Sequence, residues 1–318
     1  MKELTKDIAA SMVMGMVLPG LLLNFAAMVW DRALQTQETE PVEVFFSVPM
    51  PVKVYRGAYI TESDMDAYLT GVVLKEMPAS FEVEALKAQA VVARTYARKA
   101  YVTGGKHSDG SVCTDPACCQ AWISETDYIR QGGTEENLEK IRAAVLATSG
   151  EVLTYEGELI EATYFSCSGG RTEDAVAVWG TDFPYLQAVD SPGEENTAAY
   201  EDTVMFSLEE LEQKLNIALT GETQSRLGEI TYTGGGGVDT MVLGGKYFTG
   251  LELRQKLGLR STAFSVTETD DGICFTTKGY GHRVGMSRYG ADAMAASGST
   301  YDEILAHYYQ GAELTRLQ

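Results

Sequence analysis

Apolar and polar positions follow two different periods along this chain. Strict alternation predicts strands, most clearly in the hairpins that turn at residues 156–157 and at 270–272. Apolar residues recur at helical spacing elsewhere, which predicts helices over residues 63–76, 80–101, 135–148, 207–217, 250–257, 286–296 and 301–309. Because helices and hairpins segregate along the chain, we predict an α+β fold in which mixed helices and antiparallel hairpins form one domain.

One stretch near the start is apolar and carries no charge. Residues 12–30 contain only Asn24 as a strongly polar side chain, and their length is close to the ~20 residues that a helix needs to cross a bilayer. We expect an uncleaved, single transmembrane helix; a buried hairpin is the alternative, since Pro19 and Gly20 would loosen a helix. The predicted organisation is a cytoplasmic segment at 1–11, a membrane anchor at 12–30, a linker at 31–42 and the folded domain at 43–318.

Composition narrows the class of protein. With 45% hydrophobic residues in 318 positions, the chain can bury a sizeable core. Its 25 Lys and Arg residues are outnumbered by 45 Asp and Glu, so the formal net charge is -20 and nucleic acid is not an expected partner. The five cysteines are an odd number, and their spacing does not predict a disulfide framework.

The stretch "GVVLKEMPASFEVEALKAQAVVARTYA" contains the first candidate for chemistry. On a helix, Glu76 falls on the same face as the apolar Leu69 and Val73, and Pro78 then ends the helix beside a chain reversal. A partly desolvated carboxylate at the edge of a cleft is a candidate general acid. The alternative is a solvated helix end paired with a neighbouring cation.

A second candidate lies in the irregular segment 104–133, which we call the cysteine loop. His107, Cys113, Cys118 and Cys119 fall within this loop, and imidazole and thiolate groups are zinc ligands. We predict His107, Cys113 and Cys119 as ligands, with water, substrate or Cys118 as the fourth, because adjacent cysteines rarely share one ion in regular structure. A reduced or disulfide-linked loop is the alternative. A structural zinc and a zinc that orients substrate are both consistent with the sequence.

Four segments of the chain, in order, resemble one known family. The chain is similar to the sporulation stage II protein D family of bacterial peptidoglycan lytic transglycosylases. The segments are the stretch quoted above, "YFSCSGGRTEDA" (164–175), "GGKYFTGLELRQKLGLRSTAF" (244–264) and "GYGHRVGMSRYGADAMAASGSTYDEILAHYYQGAEL" (279–314).

The resemblance implies a function. It implies cleavage between N-acetylmuramic acid and N-acetylglucosamine, in glycan strands already stripped of stem peptides, during engulfment of the forespore. It also implies that Glu76 is the catalytic acid. An ordinary glycosidase needs two carboxyl groups. In the implied reaction the 6-hydroxyl of the muramic residue attacks C1 of the same sugar and forms a 1,6-anhydro end. A single carboxyl group can therefore act first as the acid and then as the base.

The resemblance further suggests residues that contact the glycan. Arg94 would bind the lactyl carboxylate of the muramic residue or tune Glu76, although spacing alone favours a solvated helix flank for Arg94 and Gln89. The predicted substrate-binding residues are Arg94, Gln89, Tyr164, Ser168, His282, Ser287 and Tyr289. Three positions depart from the family pattern: Arg283 replaces a glycine, Arg288 a glutamine and Cys167 a threonine.

Cofactor, partners and location follow from the same resemblance. Some clostridial members look like zinc-binding proteins at the cysteine loop, which supports zinc, and no organic cofactor is expected. The expected partners are glycan strands, an amidase that removes stem peptides, and other engulfment membrane proteins. The expected location is the mother-cell membrane, with an extracytoplasmic catalytic domain that faces the septal wall.

Two other functions compete with this interpretation. The broader family includes amidase enhancers, so the chain could be a non-catalytic glycan-binding protein that enhances a wall amidase. It could also be a zinc-dependent wall hydrolase that acts through the cysteine loop, and such an enzyme needs an open coordination position on the metal.

Overall fold

Local sequence signals set where the helices begin and end. The computed structural model describes residues 51–55, 60–222 and 226–317, which all fall in one compact unit. Asp64 caps the first described helix, and Ser207 with Glu210 forms a capping box at a later one. The helices are α1 (Met65–Glu76), α2 (Val83–Thr103), α3 (Glu125–Arg130), α4 (Glu135–Ala147), α5 (Ala175–Trp179), α6 (Leu208–Leu215), α7 (Gly250–Leu257), α8 (Arg288–Ala296) and α9 (Tyr301–Tyr308).

The strands form several small sheets, most of whose pairs are antiparallel. Within the described residues their spatial orders are β2-β1-β3, β14-β4-β5, β13-β6, β11-β12-β7 and β10-β9-β8. The strands are β1 (Pro51–Tyr55), β2 (Ile60–Asp64), β3 (Val112–Cys113), β4 (Glu151–Tyr155), β5 (Glu158–Leu159), β6 (Tyr164–Phe165), β7 (Glu201–Phe206), β8 (Leu227–Tyr232), β9 (Val238–Leu243), β10 (Lys246–Thr249), β11 (Phe264–Thr269), β12 (Gly272–Lys278), β13 (Met286–Ser287) and β14 (Glu313–Arg316).

Two hydrophobic cores divide this unit. The larger core surrounds α2, whose Ala90, Ala93 and Ala97 are fully buried. Such small side chains let neighbouring helices approach closely, and α1, α4, α8 and α9 all pack against this core. The smaller core lies between the β11-β12-β7 and β10-β9-β8 sheets and helices α6 and α7. The candidate chemistry lies on the side of the larger core.

The predicted fold class needs correction. The predicted transmembrane helix at 12–30 lies outside the described residues, and within them no helix combines the length and apolarity required to cross a bilayer. Helix α2 illustrates the reason: it has 21 residues but carries several charged side chains. The sheets are not exclusively antiparallel either, because β1 pairs with β3, and β6 with β13, in parallel. The described fold is therefore a mixed α/β arrangement of helices and small sheets.

The parallel pairing of β6 with β13 explains one error in element boundaries. A helix was predicted over 286–296, but Met286 and Ser287 pair as a strand with Tyr164 and Phe165. The Ser287 side chain accepts a hydrogen bond from the Gly290 N–H and so caps α8. A strand of two residues is too short to produce a period, so the sequence pattern could not reveal it.

Candidate functional site

Helix α1 delivers Glu76 to the edge of a groove. The apolar face that includes Leu69 and Val73 is fully buried, and the helix ends at Glu76 because Pro78 follows. The Met77 N–H donates to the Val73 carbonyl and closes the last turn. Only 12% of the Glu76 side chain is exposed. The sequence thus places a nearly buried carboxylate at a helix end, as the apolar periodicity predicts.

Three distant parts of the chain hold the Glu76 carboxylate. Its Oε1 accepts a hydrogen bond from the Ala121 N–H at 3.0 Å and one from the Tyr164 hydroxyl at 3.3 Å. Its Oε2 forms an ion pair with Arg288 Nη1 at 2.5 Å, and Arg288 also donates to the Glu76 backbone carbonyl. Both carboxylate oxygens are therefore oriented, and this arrangement pairs the ionised form with a cation.

A chain of polar groups continues behind the carboxylate. The Gln120 Nε2 donates to the Tyr164 hydroxyl at 3.3 Å, and the Tyr68 hydroxyl donates to Gln120 Oε1, also at 3.3 Å. Gln120 is 1% exposed. Burial and the adjacent Glu76 carboxylate raise the pKa of Tyr164 well above its ordinary value. Tyr164 therefore keeps its proton and remains a hydrogen-bond donor to Glu76.

The groove in front of Glu76 is large enough for sugar rings. Its volume is about 840 Å³. Aromatic side chains provide much of its wall, and flat apolar surfaces of this kind suit the faces of sugars in binding clefts. The aromatic residues that line it are Tyr96, Tyr164, Phe165, Trp179, Phe183 and Tyr280.

His282 lies at the far side of the groove as a neutral ring. Its imidazole contacts the rings of Phe165 and Trp179, with ring centroids 5.5 and 5.4 Å away. Burial, with a smaller contribution from the charge of Arg254, lowers the pKa of His282 to about 4. The Val284 N–H donates to Nδ1 at 3.1 Å, so the proton of the neutral ring lies on Nε2. A hydrogen bond to the backbone of Tyr164, which acts against this lowering, engages the ring as well.

The cysteine loop brings four potential metal ligands together. The ligand atoms of His107, Cys113, Cys118 and Cys119 all lie within 4.8 Å of one another. Cys118 Sγ is 3.6 Å from His107 Nε2 and 3.8 Å from Cys119 Sγ. A tetrahedron with zinc–sulfur bonds of ~2.3 Å has edges of ~3.8 Å, so the donor set fits such a centre. This cluster could hold a metal ion, and it includes Cys118, which was one of the open options for the fourth ligand.

The backbone explains how adjacent cysteines join one cluster. The N–H groups of Cys118 and Cys119 both donate to the Asp115 carbonyl, at 3.0 and 2.8 Å, so the two residues occupy a tight turn rather than regular structure. Burial opposes ionisation of Cys113, but hydrogen bonds from the Asp115 backbone, His107 and the other thiols prevail and lower the pKa of Cys113 to about 7. A thiol of this kind readily supplies the thiolate that a metal requires.

The structure does not bring Arg94 to the groove. Its side chain is fully buried, and its guanidinium pairs with Asp66 Oδ1 at 3.0 Å and donates to the carbonyls of Val145 and Glu151 at 3.1 and 3.2 Å. It therefore joins α1, α4 and β4, and contacts neither the groove nor Glu76. Gln89 is likewise fully buried in α2, away from the groove.

The other predicted glycan contacts divide into two groups. Tyr164 and His282 line the groove. Ser168 and Ser287 are fully buried and both donate to the Glu194 carboxylate, the former at 2.5 Å. Tyr289 packs edge-on against Phe81, with 5.1 Å between ring centroids. Ser168, Ser287 and Tyr289 thus hold the backbone behind the groove and do not line it.

Sequence reasoning missed two residues that contact this network. Arg288 pairs with Glu76, and the only signal was that an arginine stands where the family pattern has a glutamine. Gln120 supports Tyr164, and its only signal was its position next to Cys119. Neither residue type is diagnostic by itself, since both contacts depend on segments distant in sequence.

Comparison with known proteins gives a consistent result. A family model described as Stage II sporulation protein matches residues 56–155, a span that includes Glu76 and the cysteine cluster. The Stage II sporulation protein D of Bacillus subtilis is 41% identical over 280 residues, covering 86% of this chain and 81% of that protein. The protein of the same name from Bacillus amyloliquefaciens is 41% identical over 274 residues, covering 84% and 79%. An amidase enhancer of Bacillus subtilis is 32% identical over 304 residues, covering 78% of this chain and 40% of that protein.

Proposed function

The chain belongs to the stage II sporulation protein D family, and on that premise we propose that it is a peptidoglycan lytic transglycosylase. Its substrate is the peptide-free glycan strand, which it cuts between N-acetylmuramic acid and N-acetylglucosamine. Glu76 is the proposed acid and base.

The proposed reaction needs one carboxyl group used twice. Protonated Glu76 gives its proton to the glycosidic oxygen as the bond from that oxygen to C1 of the muramic residue breaks. The muramic 6-hydroxyl oxygen then bonds to C1, and its proton returns to the Glu76 carboxylate. No water is consumed, and the product carries a 1,6-anhydro ring.

The observation that carries this proposal is that Glu76 is the groove carboxylate whose two oxygens are both held by hydrogen-bond donors. Among the described residues that line the groove, the other carboxylate is Glu161, and it forms an ion pair with Lys99 at 2.7 Å. Hydrolysis by an ordinary glycosidase calls for two carboxyl groups that flank the scissile bond. A single oriented glutamate in an aromatic groove fits intramolecular attack better.

Tyr164 and Arg288 are the proposed supports of Glu76. Tyr164 donates to one oxygen of the carboxylate, and Arg288 pairs with the other. The ion pair stabilises the anion that remains after proton donation, which is the form that must take up the proton of the 6-hydroxyl.

We propose zinc as the metal of the cysteine cluster, with His107, Cys113, Cys118 and Cys119 as ligands. Bound zinc would supply folding free energy to a loop with few apolar anchors. Cys119 is followed directly by Gln120 and Ala121, which contact Tyr164 and Glu76. A loop held at the cluster would therefore keep these two donors in place. Four protein ligands leave no open position, which favours a structural metal over the competing zinc hydrolase.

Partners and location are part of the same proposal. Peptide-free strands require an amidase that acts first, and an amidase enhancer is among the relatives of this chain. The substrate lies outside the cytoplasm, so we place the catalytic domain on the extracytoplasmic side, next to the septal wall. Non-catalytic enhancement of an amidase is the competing function, because that relative is named an amidase enhancer.

The decisive test is mass spectrometry of peptide-free glycan strands after incubation with the protein. Wild type should release products with 1,6-anhydro-muramic ends, and Glu76→Gln should release none while it remains folded. Products with ordinary reducing ends would indicate hydrolysis. Undiminished anhydro products from Glu76→Gln would refute the proposed role of Glu76, and strand binding with no product from wild type would favour the enhancer.

A further inference from the structure

A smaller cavity opens beside the groove. Its volume is about 200 Å³, and His282 lines both this side cavity and the groove. Helix α5 forms the wall between them, because Ala177 and Val178 line the side cavity whereas Trp179 lines the groove. The side cavity and the groove therefore adjoin each other at His282.

Arg254 is the positively charged residue among those that line this side cavity. It projects from α7, is half-buried, and has no hydrogen-bond or ion-pair partner for its guanidinium within 51–55, 60–222 and 226–317. Burial lowers the pKa of Arg254 from its ordinary value, because the guanidinium has lost water without gaining a carboxylate. An arginine in this state has unused donors in a fork geometry that matches a carboxylate.

The other charged groups around the side cavity do not neutralise Arg254. The Glu173 carboxylate is buried and accepts hydrogen bonds from the Thr233 hydroxyl at 2.6 Å and the Gly235 N–H at 3.1 Å. It also lies 3.8 Å from a guanidinium nitrogen of the buried Arg283. Asp239 is exposed to solvent and forms no ion pair among the described residues. A guest with a small anionic group is therefore the best match for the space beside Arg254.

We propose that Arg254 binds the free lactyl carboxylate of a muramic acid residue in the groove. This inference rests on the proposed function, because it concerns the strand that Glu76 would cut. On a peptide-bearing strand the same carbonyl group is a neutral amide, and a stem peptide of several residues exceeds the side cavity. Arg254 is thus a specificity-determining residue that selects strands from which the peptides have been removed.

Binding measurements test this inference without cleavage. Full-length Glu76→Gln protein would be titrated calorimetrically with three probes: peptide-free strands, the same strands with lactyl carboxylates reduced to alcohols, and peptide-bearing strands. We expect peptide-free strands to bind about tenfold tighter than the other two, as a desolvated arginine–carboxylate pair implies. A second substitution, Arg254→Gln, should abolish the preference for peptide-free strands. Arg254→Lys keeps the positive charge but lacks the paired N–H groups of the guanidinium, so it should retain part of this preference.

Lys256→Gln is the matched control, since it removes a positive charge from an exposed position of the same helix. It should leave the preference unchanged. Equal affinity for peptide-free and reduced strands, or a preference that survives Arg254→Gln, would overturn the inference. Equal Arg254-dependent affinity for peptide-free and peptide-bearing strands would assign the carboxylate to the stem peptide and also overturn it. If the preference holds but wild type forms no anhydro product, the proposed catalytic function fails and the subsite stands.

Discussion

At the scale of single residues, Tyr164 tests whether the contacts of Glu76 matter for chemistry. Tyr164→Phe removes a donor to the carboxylate and leaves the buried Gln120 amide without its acceptor. We expect a stability loss of about 1–3 kcal/mol, as for other buried groups that lose a partner. The turnover number should fall by about tenfold or more with little change in KM, since the ring still lines the groove.

Tyr309→Phe provides the control for that substitution. Tyr309 is fully buried and its hydroxyl donates to the Thr163 carbonyl at 2.7 Å, a contact that does not involve the Glu76 carboxylate. Denaturant unfolding should show a similar loss of stability, whereas steady-state kinetics should show an unchanged turnover number. Equal losses of turnover in both variants would assign Tyr164 a purely structural role.

His282 predicts a pH dependence of stability. Its pKa is about 4 in the folded protein and ~6.5 in an unfolded chain, so between these values the unfolded chain binds a proton that the folded chain does not. The free energy of unfolding should therefore decrease as the pH falls from ~6.5 to about 4. Urea unfolding across this range measures the slope, which His282→Gln should reduce; an identical slope in the variant would contradict the prediction.

Some residues of the candidate site could be predicted from the sequence around them, and others could not. Glu76 was accessible because its burial follows from the period of its own helix and the proline after it. Arg288 and Gln120 were not, because their contacts depend on tertiary structure that brings 120–121, 164 and 288 to one point. Arg94 illustrates the opposite case: it follows the candidate acid closely in sequence, but its side chain lies in the core and pairs with Asp66.

At the scale of elements, we expect the folded conformation of the cysteine loop to depend on a bound metal ion. We predict one bound metal ion per chain, measured by elemental mass spectrometry, and its loss in Cys113→Ser. Loss of the metal should lower the melting temperature by several degrees, since a ligand that binds only the folded state stabilises it. Turnover should fall as well, because Gln120 and Ala121 would no longer be held against Tyr164 and Glu76.

Cys274→Ser controls for the loss of a thiol. Cys274 lies on β12, opposite Met205 of β7 and outside the cluster. Metal content and turnover should both match wild type in this variant. Metal-free Cys113→Ser protein with full activity would separate the cluster from the candidate active site.

Helices and strands could be predicted from the sequence where they are long enough to show a repeated spacing of apolar residues. The helices that became α4, α7 and α9 were expected close to their observed bounds, because each carries an apolar face of two or more turns. The strands β3, β6 and β13 have two residues each and contain no period, so their pairing follows from tertiary contacts alone. The pairing of β6 with β13 is what brings Tyr164 and the start of α8 together.

At the scale of the whole molecule, charge predicts an effect of salt on binding. The chain has a formal net charge of -20, and a peptide-free strand carries one carboxylate per muramic residue, so the two repel each other at long range. Raising ionic strength from about 10 to 150 mM should screen this repulsion and tighten binding. The half-buried Arg254 is screened less than the surface. Calorimetry with strands whose carboxylates are reduced should show almost no salt effect, and tighter binding at low salt would contradict the prediction.

The pairing of Glu76 with Arg288 also has a consequence for biosynthesis. The two residues are separated by 212 positions, so the ribosome completes α1 long before it adds Arg288. Until then the carboxylate lacks its cation, and β6 lacks the strand β13 that aligns Tyr164 beside it. A nascent or prematurely terminated chain would therefore carry the glutamate without a working cutting site. For a protein proposed to cut the wall of the cell that makes it, this order of synthesis delays the activity until the domain is complete.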